Sequence, residues 1–352
     1  MSFKKIIKGI SRVETFRDLL ISLASILIAL LLSGLIVYLI GESPLVALKG
    51  LLIGSFGTVR SFANTLSRTS PLIFTGLAVA LAFRCGLFNI GAEGQLYFGG
   101  FFAAITAIYL GELPVLLAMS ITIIVGILAG MFWGGIPGLL KAKFGSHEVI
   151  VTVMLNYVAI FFTSYMVNYP FKAIGGVPQT EMIPTQLLFE RPVQGSQLTT
   201  SIFLALSAAV LVYIFLWKTN IGYEIRAVGE NKEAALAGGI KIKNRIILAM
   251  AISGGLAALA GVTEVMGVHR RFIEGFSPDL GFTGIAVAVL GRNHPIGVIL
   301  TAFLFGILST GGIYLERATN VSSNIVVLIQ GLVILFVAAP EIIKQFMPKK
   351  GV

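Results

Sequence analysis

The chain has 352 residues, of which 56% are hydrophobic and only 12% are charged, and its formal net charge is +10. Soluble domains carry about 25% charged residues, so this composition excludes an ordinary soluble protein and indicates a polytopic membrane protein. The positive charges are sorted by loop and form no single patch, which argues against nucleic-acid binding. The single cysteine excludes an intrachain disulfide.

Positive charges predict the orientation of the first half of the chain. Residues 1–18 are basic and amphipathic, and they precede an apolar run from Leu19 to Ile40 that is long enough to cross a bilayer core of about 30 Å. This pattern predicts a cytoplasmic N-terminal segment rather than a cleaved signal peptide. Residues 41–69 are mixed and are expected on the outer surface, partly as an interfacial helix. Four further spans are predicted at about 70–84, 94–110, 114–135 and 149–168.

The second half alternates in the same way, and it begins with a proline-containing outer loop. The predicted segments are the outer loop 170–197, a span at 198–216, a basic cytoplasmic loop at 217–245, a span at 246–266, two half-length runs at 281–290 and 296–313, a last span at 323–339 and a cytoplasmic tail at 340–352. This gives about ten crossings with both termini inside. The inner segments then hold 18 of the 26 Lys and Arg residues, as the positive-inside rule requires.

Two interrupted apolar segments resemble one another. Residues 75–81 (Thr-Gly-Leu-Ala-Val-Ala-Leu) are similar to residues 283–289 (Thr-Gly-Ile-Ala-Val-Ala-Val), and each copy precedes an arginine and a glycine-containing break. The similarity reflects either chance in a biased composition or a duplicated half. Transporters are often built from repeats whose broken helices mark the transport path.

The first break carries polar side chains where a membrane interior is expected. Asn89, Glu93 and Gln95 lie among three glycines. Irregular backbone at membrane depth survives only inside protein or beside a watery cavity, and an ionisable residue there is functional by default. Either these side chains shape the pathway or its inner gate, or Glu93 caps a helix that starts near Gly94 at the cytoplasmic interface.

The loop at 217–245 contains a short stretch of small residues over 229–240 that is expected to be helical and cytoplasmic. A helix of small residues can dock closely into a groove on a soluble partner, which indicates a pore driven by a separate motor. The sequence has no Gly-x-x-x-x-Gly-Lys-Ser/Thr phosphate loop, so ATP is expected to bind another polypeptide. No metal-ligand cluster is predicted, and His147, His269 and His294 are expected to be ordinary loop or interface residues.

Three motifs, over residues 83–95, 226–240 and 288–297, resemble those of ABC-importer permeases of the branched-chain amino acid/ribose type, and within them a subgroup for nucleosides and simple sugars. The resemblance implies an all-α, non-catalytic permease domain over 19–339 in a bacterial cell membrane. It also implies a second permease subunit, a cytoplasmic ATPase that uses ATP and Mg, and a substrate-binding lipoprotein outside. No cofactor is expected on this chain. The residues expected to form the coupling helix are Gly229, Glu230, Asn231, Ala234, Ala235 and Gly239.

A nucleoside has a flat base and a hydroxylated sugar, which aromatic and amide side chains suit. The expected pathway residues are Phe88, Asn89, Glu93, Gln95, Asn156 and Tyr157, although Asn156 and Tyr157 are equally typical of helix–helix hydrogen bonding. Glu264 is expected to pair with Arg270 or Arg271. The outer charges that could instead dock the binding protein are Arg191, Arg270, Arg271, Glu274 and Asp279.

Three other interpretations remain open. The solute of an ABC permease could be a simple sugar such as ribose. A stand-alone transporter driven by protons or sodium would use Glu93 and Glu264 as relay groups, but it leaves the cytoplasmic small-residue helix without a role. A scaffold or assembly factor leaves the paired broken helices unexplained.

Overall fold

The computed structural model describes residues 43–318 without a gap, together with residues 31–32, 34–39, 41, 325, 327–328 and 330–332. This part of the chain is helical, and its only extended pairing is a single antiparallel bridge between Gln179 and Ile273. The first five helices are α1 (Pro44–Phe56), α2 (Val59–Arg84), α3 (Ala92–Tyr109), α4 (Val115–Phe144) and α5 (Glu148–Asn168).

A long connection with one 3₁₀ turn (Thr185–Leu187) separates these helices from the second half. There the helices are α6 (Ser201–Lys218), α7 (Asn220–Glu230), α8 (Lys232–Ala237), α9 (Ile242–Thr263), α10 (Leu280–Leu290) and α11 (Pro295–Ala318). A π-helical turn, Glu264–His269, extends α9 directly.

The chain divides into two compact units, residues 58–306 and residues 1–57 with 307–352. In the second of these, small residues let α1 approach the end of α11. A side chain at Gly54 would collide with Tyr314, and one at Gly311 would collide with the backbone of Leu51. Ser55 Oγ donates to the Ile307 carbonyl at 2.8 Å, so the contact is also hydrogen-bonded.

In the unit 58–306, α9 packs against α2, α3 and α4. The contacts are backbone to backbone, because Gly254 faces Gly130 and Gly134, and Gly261 faces Gly100. Small residues at such crossings are typical of membrane helices, which gain stability from close packing rather than from the hydrophobic effect. The high glycine content of the sequence is explained by these crossings.

The mixed segment 41–69 contains α1 and the start of α2, which fits the expected partial helix, while its outer position stays a prediction. The polar residues at the start of α2 lowered its hydropathy, but several of them bond within the helix. Thr58 Oγ1 accepts from the Ser61 N–H at 3.0 Å, and the Thr65 and Thr69 hydroxyls donate to carbonyls four residues earlier. Such back-bonding lets Ser and Thr occupy a membrane helix.

Six helical segments of the described part are long and apolar enough to cross a membrane: Val59–Arg84, Val115–Phe144, Glu148–Asn168, Ser201–Lys218, Ile242–His269 and Pro295–Arg317. The chain is therefore a multi-pass membrane protein. The predicted total of about ten crossings stays a prediction, since residues 1–18, the tail 340–352 and most of the spans 19–40 and 323–339 lie outside the described residues.

Candidate functional site

Helices α2 and α10 end in the same turn geometry. After α2, the Leu87 N–H donates to the Ala82 carbonyl at 3.1 Å, with Gly86 at φ +71°. After α10, the Asn293 N–H donates to the Ala288 carbonyl at 2.8 Å, with Arg292 at φ +54°. This is the Schellman arrangement of a helix C-terminus. In the first copy the left-handed residue is Gly86, two positions after Arg84, whereas in the second copy it is Arg292 itself. The two helices therefore end at positions that do not correspond in the sequence similarity.

The two similar segments contact one another. A side chain at Gly284 would meet Thr75 Oγ1 at 2.5 Å, and one at Gly76 would meet Val287 at 2.7 Å. Arg84 joins the two ends, because its Nε donates to the Asn293 carbonyl at 2.9 Å and its Nη2 to the Arg292 carbonyl at 3.1 Å. The two breaks are thus tied together at one end of the helices, while their origin by duplication stays a prediction.

The interior of the first break is a closed hydrogen-bond network. Asn89 Nδ2 donates to Gln95 Oε1 at 2.9 Å and to Ser253 Oγ at 2.8 Å, and Ser253 Oγ donates to the Ala78 carbonyl at 2.6 Å. The Gly91 N–H donates to Asn89 Oδ1. All these side chains are buried. The network fixes the break to α9 and to α2, so in this conformation Asn89 and Gln95 hold backbone in place rather than face a cavity.

Asn156 holds the same break from α5. The Gly94 N–H donates to Asn156 Oδ1 at 2.8 Å, and Asn156 Nδ2 donates to the Ile90 carbonyl at 2.9 Å. This geometry matches the helix–helix bonding alternative. Tyr157, the next residue, is 52% exposed on the outside of α5, and Phe88 is half-buried against Phe83. The six expected pathway residues therefore do not converge on one opening.

Glu93 lies where two helices begin. It is in the first turn of α3, and its carboxylate accepts the Gly281 N–H of α10 at 2.5 Å and a hydrogen bond from the Ser277 side chain. A carboxylate is stabilised at a helix N-terminus, and here one group serves two termini. Glu93 is only 2% exposed and lies in the first turn of α3, where its charge favours the helix start, while its expected position at the cytoplasmic interface stays a prediction.

A polar cavity lies at the other end of α9, and sequence reasoning missed it. It is formed by α2, the π-turn and the segment before α10, and it has a volume of about 190 Å³. Its lining includes Ser67, Arg68, Gln197, Glu264, His269 and Phe276. The partner of Glu264 is His269, at 3.6 Å, so the predicted ion pair with Arg270 or Arg271 is wrong. The signals in the sequence are Glu264 at the end of its span and the pair of polar residues, Ser67 and Arg68, on α2.

The connection between α5 and α6, predicted as the outer loop, forms part of the wall around this cavity. Arg191 Nη2 donates to the carbonyls of Gly267 and Val268 at 2.9 and 2.8 Å, and burial, followed by the charge of Arg270, lowers the pKa of Arg191. The side chains of Ser164 and Asn168 hydrogen-bond to the Glu274 carboxylate. Two of the charges expected to dock a binding protein therefore hold the chain's own structure.

The predicted cytoplasmic helix is present as the end of α7 and the whole of α8. Asn231 separates them and caps α8, since its Oδ1 accepts the Ala234 N–H at 2.9 Å. Glu230, Ala234 and Gly239 are exposed, but Ala235 is only 4% exposed and faces the protein. Leu236 is 65% exposed, so α8 presents an apolar, small-residue face outward.

Gly229 lies directly against the first break. A Cβ atom built on it would be 2.9 Å from the Arg84 carbonyl carbon and 3.0 Å from the Gly86 nitrogen. Beside this contact, the Arg84 and Arg226 guanidinium groups lie 5.3 and 5.8 Å from the centre of the Trp217 ring, within cation–π range. All three sequence motifs therefore meet at the end of α2.

His294 completes this cluster, with its ring centre 4.9 Å from that of Trp217. Burial, followed by the charge of Arg84, lowers the pKa of His294, so the imidazole is neutral at pH 7. A neutral ring suits its observed role, in which Nδ1 accepts the Ile296 N–H at 3.3 Å. His294 is thus a structural residue of the second break.

Comparison with known proteins places these features in a family. A family described as "Branched-chain amino acid transport system / permease component" matches residues 61–338. The nucleoside ABC transporter permease protein NupB of Lactococcus lactis subsp. cremoris is 36% identical over 95% of this chain and 94% of its own length. The guanosine ABC transporter permease protein NupP of Bacillus subtilis is also 36% identical, over 96% and 98%. The glucose ABC transporter permease protein TsgB13 of Haloferax volcanii is 32% identical, over 92% and 87%.

Proposed function

The chain belongs to the family of branched-chain amino acid transport system permease components, and on that premise we propose that it is the permease subunit of an ATP-driven importer of nucleosides. The nucleoside and guanosine permeases, similar over almost the whole of both chains, support the choice of solute. The observation that carries the mechanism is the packing of Gly229 onto the end of α2, because it connects an exposed cytoplasmic helix to the first break.

The proposed cycle is alternating access. A partner ATPase binds ATP and Mg, closes, and moves α8 through its exposed face around Ala234 and Leu236. The Gly229 contact passes this movement to the turn after α2, and Arg84 passes it to the turn after α10. The turn after α2 leads into α3, and the turn after α10 ends α10. The starts of α3 and α10 are joined by the hydrogen bond between Glu93 and Gly281. Movement there would part α3 from α10, which is the step that opens the path.

The same proposal defines the partners and the orientation. A second permease subunit completes the pathway, the ATPase sits on the cytoplasmic side with α8, and a substrate-binding lipoprotein delivers solute to the outer side. The termini are cytoplasmic, in a bacterial cell membrane. The sorting of Lys and Arg supports this orientation, because the loop that holds α7 and α8 carries six of them.

Within this mechanism the predicted polar residues take different roles. Asn89, Gln95 and Asn156 hold the first break rigid, whereas Glu93 joins the two helix starts and acts as the closure. Phe88 and Tyr157 lie apart from that closure. General, weak contacts along the path would leave most of the specificity to the binding protein.

A sugar is the second candidate solute, because the glucose permease is similar at 32% identity over 92% of this chain. Uptake of radiolabelled uridine and guanosine, in cells with and without this chain and with its ATPase present, separates the two. Unlabelled nucleosides, bases, ribose, glucose and leucine serve as competitors. Loss of uptake on deletion, with competition by nucleosides alone, supports the proposal. Best competition by ribose or glucose refutes the nucleoside assignment, and unchanged uptake refutes the transport role.

The coupling role has its own test in Ala234→Asp. Because Ala234 is exposed, the permease should fold normally with the larger side chain. A charge at this position should prevent α8 from docking on the ATPase, so uptake should be lost. Ala234→Ser is the matched control and should retain uptake. Normal complex formation and uptake by Ala234→Asp would refute the coupling-helix assignment.

A further inference from the structure

We propose that the polar cavity at the start of α10 is a solute subsite in which Glu264 accepts hydrogen bonds from adjacent sugar hydroxyls. The inference rests on the proposed import function. It adds a solute-binding site that is separate from the closure formed by Glu93. None of the residues expected from the sequence to line the pathway lies in this cavity, whose volume is about 190 Å³.

The carboxylate of Glu264 lacks donors that its environment would normally supply. It is 9% exposed, and within the described part of the chain it accepts no hydrogen bond; His269 Nε2 approaches to 3.6 Å. Glu93, by contrast, is buried and receives donors from Gly281 and Ser277. Glu264 lines the cavity, so a donor that enters it can supply the hydrogen bonds that a carboxylate favours. Two neighbouring hydroxyls are such donors.

The other lining groups favour a neutral, hydroxylated solute. Arg68 places a positive charge in the same cavity as Glu264, so the site has no large excess of either sign. Ser67 and Gln197 add polar groups, and Ser67 Oγ donates to the Gln197 carbonyl at 2.9 Å, which fixes that wall to α2. A net charge on the solute would gain nothing here, whereas hydroxyl groups find both acceptors and donors.

One wall is aromatic and rigid. The ring of Phe276 packs against Tyr97 and Phe272, with centroids 4.9 and 5.1 Å apart, and against His269 at 5.8 Å. An aromatic wall beside hydroxyl acceptors suits a flat base joined to a sugar. Another wall is the π-turn, a geometry frequent at functional sites, and Arg191 fixes it by bonding two of its carbonyls.

Leu280 lines the cavity and is the residue next to Gly281. Because the Gly281 N–H is bonded to Glu93, the cavity borders the closure between α3 and α10. A solute held by Glu264 would therefore lie beside the contact that must part. This position gives the subsite a purpose: it holds the solute until the closure opens.

The test uses the whole complex, with partner permease, ATPase and binding lipoprotein, in proteoliposomes. ATP-dependent initial uptake is measured for labelled uridine and for 2′,3′-dideoxyuridine, each at saturating loaded binding protein. Replacing Glu264 with Gln weakens charge-assisted bonds to hydroxyls, so uridine uptake should fall about tenfold while dideoxyuridine uptake changes less than twofold. Glu190→Gln, at an exposed outer position, is the control and should change neither.

Equal losses for both solutes would show that Glu264 is structural and would overturn the proposal, as would no loss for either. If Glu264→Gln prevents assembly, Glu264→Asp retains the charge and withdraws the oxygens, and it should show the same selective loss at smaller size. A wild-type complex that carries glucose but no nucleoside would refute the nucleoside assignment alone. Uptake of glucose and of 2-deoxyglucose then decides the subsite by the same comparison.

Discussion

A methyl group at Gly229 should loosen the cytoplasmic helix from the first break. The added Cβ would lie 2.9 Å from the Arg84 carbonyl carbon and 3.0 Å from the Gly86 nitrogen, and it would overlap the Arg84 carbonyl oxygen. These are backbone atoms of a tight turn, so they cannot rotate away and α7 must shift. Overpacking of this kind costs about 1–3 kcal/mol. A coupling free energy of that size corresponds to roughly a 5- to 150-fold change.

The assay compares ATP hydrolysis and solute uptake in reconstituted complexes. Gly229→Ala should retain basal hydrolysis but lose at least about fivefold in solute moved per ATP, as the coupling range requires. Gly238→Ala is the matched control, because its Cβ would lie 3.4 and 3.5 Å from the Ala235 and Ala234 carbonyl oxygens, at ordinary contact distance. Wild-type uptake per ATP by Gly229→Ala would refute the proposed transmission through this contact.

Two further substitutions test the roles assigned to the first break. Asn156→Ala leaves the Gly94 N–H and the Ile90 carbonyl without their side-chain partner. It should lower the free energy of unfolding by about 1–3 kcal/mol for each group. Thermal unfolding in detergent measures the effect, and an unchanged Tm contradicts the role. Glu93→Gln keeps an acceptor for the Gly281 N–H and should assemble, whereas Glu93→Leu removes the acceptor and should not. Full uptake by Glu93→Gln would exclude an essential charge at this position but would leave the role of the hydrogen bond intact.

Features written in local sequence could be predicted. Long apolar runs predicted α3, α5 and α9 to within a few residues, because the bilayer sets a minimum apolar length that a single segment must meet. Glycines located the break before α3, and the run of small residues located α8. The start of α2 was missed, since hydropathy cannot show that its Thr65 and Thr69 hydroxyls bond to the helix's own carbonyls.

The sequence alone therefore determined the class of protein, most of its spans, its family resemblance and the small-residue helix α8. Only the tertiary structure decided the partners: Glu93 with Gly281, Asn89 with Ser253, Glu264 with His269, and the inward face of Ala235. The physical reason is that a membrane span requires only local hydrophobicity. A buried polar contact requires two backbones far apart in sequence to cross at one depth, and the glycines that permit such crossings are spread along every helix.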